Sequence, residues 1–158
     1  MKSLKTLYSD ARHYSRQLAS AGDRLLVTQR LAKIHPELLQ PSARTYATIA
    51  RGLVWAYGEI RRALTSGKFR ANPQRQSLEL LERLFLSLLE TWSDAEYRVS
   101  RLKKAGGKGK AMKAAEMAAD LLAAELERVA KLLVVEADKL GRWTVQWERD
   151  LGLRQWLR

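Results

Sequence analysis

The chain contains no cysteine, and its 158 residues hold only three prolines and two histidines. Without cysteine there are no disulfides, no thiolate metal sites and no cysteine nucleophile. Scarce proline leaves long stretches of backbone able to donate hydrogen bonds without interruption, which suits helices. The histidines, His13 and His35, stand too far apart in sequence to suggest a shared imidazole site. No apolar run approaches the roughly 20 residues of a membrane span. The opening MKSLKTLYSDARHYSR has no apolar segment of the export-signal kind. These absences lead us to expect a cytoplasmic protein that binds no cofactor and no membrane.

Acidic residues are also in short supply, 17 against 29 lysines and arginines, for a net charge of +12 and an isoelectric point near 10.3. The imbalance is uneven: residues 1–79 carry 14 basic and 5 acidic side chains, residues 80–158 carry 15 and 12. A small domain so charged is suited to a polyanionic partner. With 46% hydrophobic residues it has the material for a packed core.

Apolar positions recur at three- and four-residue steps, the signature of an all-α chain. Leu4, Leu7, Tyr8, Ala11, Tyr14 and Leu18 predict a first helix that breaks near Ala21-Gly22. Asp23 is placed to cap a second, with Val27, Leu31 and Ile34 as its stripe, ending before His35-Pro36. Pro41-Ser42 opens a third, through Tyr46, Ile49, Leu53, Tyr57, Ile60 and Leu64. Asn72-Pro73 starts a long fourth, with Leu78, Leu81, Phe85, Leu88, Trp92, Val99 and Leu102 inward. A fifth runs from Lys110 to Leu140, through Met112, Ala115, Leu122, Leu126, Val129 and Leu133. A last one, over 142–157, holds Trp143, Trp147, Leu151 and Trp156, either packed in the core or projecting as a docking face. The expected architecture is a single bundle of five to six helices with long antiparallel members.

The segment RVSRLKKAGGKGKAMK, residues 98–113, carries seven basic side chains and no acid: Arg98, Arg101, Lys103, Lys104, Lys108, Lys110 and Lys113. Its glycines suggest a phosphate-cradling P-loop, but that motif needs glycine where Lys104 stands and serine or threonine where Ala111 stands. It also joins a strand to a helix. A mobile basic loop is instead suited to nonspecific phosphate contacts. Arg30 and His35 have the Arg-(x4–6)-His spacing of HEPN-type ribonucleases, with Leu31 where that family places a polar residue. The carboxylates, such as Glu127 four residues before Lys131, have the spacing of solvated helix pairs. The residues therefore suggest no catalytic site and no metal site.

The third helix carries the clearest pattern. At about 100° per residue, Arg44, Arg51, Trp55 and Arg62 fall within about 20° of one line, opposite the apolar stripe. Arginine forks hold phosphates and an indole offers a stacking plane. The other reading buries Trp55 between helices, as tryptophans often are. Between the third and fourth helices a second basic run, including Lys68 and Arg70, meets no acid before Glu79. The two basic loops should stand about 45 Å apart, at opposite ends of the fourth helix.

Thr65-Ser66-Gly67-Lys68-Phe69-Arg70 resembles, with one residue more, the Thr-Ser-x-hydrophobic-Arg turn before a long helix in one branch of the small helical subunit of CRISPR RNA-guided effector complexes. The resemblance covers residues 60–140. It implies a helical, non-catalytic subunit of an antiviral ribonucleoprotein, lined up in several copies beside RNA or DNA. In size and charge the chain is also similar to the helical accessory proteins of phage reverse transcriptases. A protein-interaction adaptor with an acidic partner is the competing class.

Overall fold

The computed structural model describes residues 2–66, 74–106 and 109–139. Among these residues there are four long α-helices: α1 (Leu4–Leu31), α2 (Leu39–Thr65), α3 (Gln74–Lys104) and α4 (Lys110–Lys139). A 3-10 turn, Pro36–Leu38, leads directly into α2. The fold is all-α, and the segment 142–157 expected to form a last helix lies outside the described residues.

Two expected helices are one. Ser3 caps α1 by accepting from the Thr6 amide at 3.2 Å, and the helix then passes through Ala21 and Gly22 without a break. Gly22 is a point of close approach: a Cβ there would collide with Nε, Cδ and Cζ of Arg98 from α3. Asp23 is accordingly mid-helix, not a cap. Continuity also resets the inward stripe. Leu25, seven residues after Leu18, turns inward, and Val27 lies about 200° further round. Val27 and Leu31 are therefore exposed, and Ile34, past the end of α1, is exposed by 75%, where an inward stripe was expected.

The third expected helix also begins earlier than Ser42. Leu38 occupies its cap position, and Pro41 falls in the first turn, where no intrahelical amide donor is required. From there the stripe is as read, with Tyr46, Leu53, Tyr57, Ile60 and Leu64 buried. The inward faces of α3 and α4 also follow their sequence stripes, Trp92 being only partly buried.

Helix α2 packs between α1 and α4, and α4 also packs on α3. Both α2 and α4 are rich in buried alanine (Ala43, Ala47, Ala50; Ala111, Ala114, Ala118), and short side chains let helix axes come close. Helices α1 and α3 share a smaller contact, and a few polar side chains join them. Tyr8 Oη donates to the Leu80 carbonyl at 3.1 Å, Ser15 meets Thr91 at 3.3 Å, and Arg98 Nη2 donates to the Ala19 carbonyl at 3.0 Å. Rising residue numbers pair with rising ones, so α1 and α3 run parallel. So do α2 and α4, tied by Gln40–Lys110, Arg51–Met117 and Arg61–Glu125. The antiparallel pairs are the sequential hairpins α1–α2 and α3–α4. The 31 residues of α3 place its two ends about 45 Å apart.

Candidate functional site

The outer face of α2 and the adjoining edge of α4 form one long seam. Arg44, Arg51, Trp55 and Arg62 are all exposed, Trp55 by 53%. Trp55 is thus a surface residue, because α2 packs on α1 and α4 through its other sides. Arg51 reaches across the seam, its Nη2 3.4 Å from Met117 Sδ. At the start of both helices, Lys110 Nζ donates to Gln40 Oε1 at 2.8 Å, with exposed Lys113 one turn further along α4. Arg62 is held by Glu59 at 2.8 Å while its side chain stays 68% exposed.

Further along, Glu125 of α4 is only 1% exposed and lies between two guanidiniums. Arg61 Nε stands 3.1 Å from one carboxylate oxygen and Arg128 Nη1 3.1 Å from the other. Two cations around one buried carboxylate leave a local surplus of positive charge at the surface. Arg128, more than half exposed, extends the basic seam, and reading the sequence had not singled it out; Lys131 is instead paired with Glu127 at 2.8 Å, as their spacing led us to expect. The signal was Glu125 itself, a carboxylate on the inward stripe beside Leu122, Leu126 and Val129, which requires cations nearby. The seam is not uniformly basic: Glu116 and Asp120 share a shallow hollow of about 390 Å³ with Lys113, Met117 and Leu121.

Among the residues of the basic run 98–113, Arg98 departs from its expected surface role. It is buried, bonded to the Ala19 carbonyl and 3.6 Å from Asp23, because it fills the gap between α1 and α3. Its guanidinium lies near Tyr46, whose hydroxyl is pushed by burial above the usual tyrosine pKa, the charge of Arg98 partly offsetting that rise. Arg101, Lys103 and Lys104 are exposed at the end of α3. Two glycines of the loop serve its geometry. Gly106, at φ 71°, turns the chain out of α3, and Gly109, at φ 81°, leads into α4 by accepting from the Lys113 amide. Lys68, Arg70 and Lys108 lie outside the described residues.

Charge is divided between the hairpins. Residues 4–65 carry ten basic and four acidic side chains, whereas α3 and α4 together carry eleven of each. Among the described residues no helix is long and apolar enough to cross a membrane, and no group of three or more His, Asp or Glu is placed to hold a metal ion. His35 is exposed on the turn before α2, its Nδ1 3.3 Å from Glu37. Comparison with protein-family models, curated proteins and solved structures found no match for this chain.

Proposed function

We propose that this protein is a non-catalytic nucleic-acid-binding subunit of a ribonucleoprotein assembly, and that it grips the phosphate backbone along the α2/α4 seam. The observation that carries this reading is the half-exposed Trp55 in one outward row with Arg44, Arg51 and Arg62. A large indole left in water costs the bundle apolar burial and offers a plane on which a base can stack. The flanking guanidiniums provide forked donors for phosphate oxygens. The exposed lysines at the α3–α4 turn lengthen the same basic track. The small subunit of a CRISPR effector complex is the specific form of this reading, on the Thr65–Arg70 resemblance.

A protein neighbour also has a place on the molecule. Val27, Leu31, Ile34 and Leu38 are exposed around the α1–α2 corner, and Val27 also lines a mixed cavity of about 510 Å³ with Asp23, Arg24, Thr28 and Pro41. An apolar corner of this kind suits contact with another subunit, as does the adaptor reading.

Titrating random single- and double-stranded oligonucleotides over a range of salt concentrations tests the proposal. Backbone binding gives a linear fall of log affinity with log salt, because each neutralised phosphate releases a counterion. Affinity that is absent at low salt, or insensitive to salt, would sink it. RNA cleavage that disappears in an Arg30→Ala or His35→Ala variant would replace it with a ribonuclease.

A further inference from the structure

At the end of the bundle that carries the α3–α4 turn, the last turns of α1 and α3 border a half-open cavity of about 240 Å³. Arg30, Arg101 and Lys104 line it, together with Leu26, Gln29 and Ala105, and no carboxylate belongs to the lining. Among the described residues none of the three cations forms an ion pair with a carboxylate. The carboxylate on this side of α1, Asp23, lies by Arg98 instead. Arg101 is already positioned, its guanidinium carbon 5.9 Å from the centroid of the Tyr97 ring, and that ring is 60% exposed.

Three converging cations at helix C-termini exceed what the partial negative charge of two helix ends requires, about half an elementary charge each. Leu26 and Ala105 lower the local dielectric on one wall, which strengthens the field inside. The cavity is large enough for a phosphate group. An internal phosphodiester brings one negative charge, whereas a terminal phosphate monoester brings about −1.5 to −2 and three acceptor oxygens. The second matches two guanidiniums and an ammonium better.

We infer that this cavity seats the terminal phosphate of a nucleic-acid strand, with the exposed Tyr97 ring as the plane available to the terminal base. The inference rests on the nucleic-acid reading above but concerns a different place on the molecule. A strand anchored here would pass over the basic α3–α4 turn to reach Lys110, Lys113 and the seam.

Two measurements test it. The first compares one oligonucleotide with a 5′-phosphate, a 3′-phosphate or hydroxyls at both ends, using wild type and R101Q/K104Q. One phosphorylated end should bind about ten-fold more tightly than the hydroxyl form. In R101Q/K104Q that ratio should fall to about one, and the favoured end identifies the strand polarity. Equal binding of all three forms by wild type overturns the terminal seat and leaves the seam proposal standing. The second measurement follows the arginine Nε–H signals by NMR while inorganic phosphate is added at low salt. Shifts confined to Arg30 and Arg101 support a phosphate seat here. If no oligonucleotide binds, the same shifts overturn a strand end as its occupant together with the seam proposal, and leave free phosphate. Shifts absent from both arginines overturn the seat itself.

Discussion

Arg98 of α3 occupies the space that a side chain at position 22 of α1 would need. Its guanidinium lies against the Gly22 backbone and is fixed by the Ala19 carbonyl. Two opposing effects can therefore be separated at one position. Replacing a mid-helix glycine by alanine ordinarily stabilises a helix by up to about 1 kcal/mol. Here Gly22→Ala should instead destabilise the fold by about 2 kcal/mol, because Arg98 is buried and cannot yield without breaking its bond to Ala19. Chemical denaturation measures the sign. In an Arg98→Ala background the same change should become neutral or stabilising, and a loss of stability that persists there would refute the steric account.

Trp55 and Arg51 should separate folding from binding. Because the indole is half in water, Trp55→Ala should cost under about 1 kcal/mol of stability, well below the roughly 3–5 kcal/mol of a core tryptophan. Its effect should fall on nucleic-acid affinity, by about 1–3 kcal/mol if the ring stacks on a base. Arg51→Ala should weaken binding while the melting temperature barely moves. Unchanged affinity in both variants would remove the seam from consideration.

The turn between α3 and α4 makes a different contribution. Changing Lys103, Lys104, Lys108 and Lys110 together to glutamine should lower affinity at every sequence tested. It should also flatten the log–log salt slope by up to about 0.7–0.9 for each phosphate left without its lysine. Thermal stability should change little, since the described members of this set are exposed. A slope identical to wild type would reduce the turn to a connector.

Alkaline pH should expose the tie between α1 and α3. Burial pushes the Tyr8 hydroxyl, which donates to the Leu80 carbonyl, up to about 12 from the usual value near 10. A folded-state pKa above the unfolded one means that the unfolded chain loses this proton first. Its stabilising effect should be complete below about pH 10 and fall away as pH rises to about 12. Tyr8→Phe should cost about 1 kcal/mol at neutral pH and show a shallower alkaline decline than wild type. Parallel declines in the two proteins would show that this phenol is not the group responsible.

How much of this was legible in the sequence depends on whether local pattern or tertiary packing set the outcome. The stripes of α2, α3 and α4 were legible because three- and four-residue spacing reports directly on the buried face of a helix. The alignment of Arg44, Arg51, Trp55 and Arg62 along one line of the helix was legible for the same reason, but whether Trp55 met water or a neighbouring helix was not, since that depends on which sides of α2 are covered. Gly22 was not, since a glycine kept for a neighbour 76 residues away carries the same letter as one that ends a helix. That single misreading also displaced Asp23, Val27 and Leu31, whose orientation depends on the helix being continuous, while Ile34 lies past the helix end. Arg98 shared a basic run with surface lysines, and only the packing of α1 on α3 distinguishes it.

The parallel arrangement of α2 and α4 bears on how the seam between them comes into being. Interactions within α1–α2 and within α3–α4 join neighbours in the chain and can form early as separate hairpins. The seam joins partners 64–70 residues apart: Arg61 with Glu125, Arg51 with Met117, Gln40 with Lys110. Loop-closure entropy delays such pairings until the hairpins dock. Neither hairpin alone possesses the seam, so a bound strand would act as an added clasp between the two. Mass action would then protect against separation of the hairpins, an opening of the whole bundle, and leave fraying at the helix ends unchanged. Hydrogen exchange with and without ligand would show this as slowing of the most protected amides in all four helices, far from any residue that touches the strand.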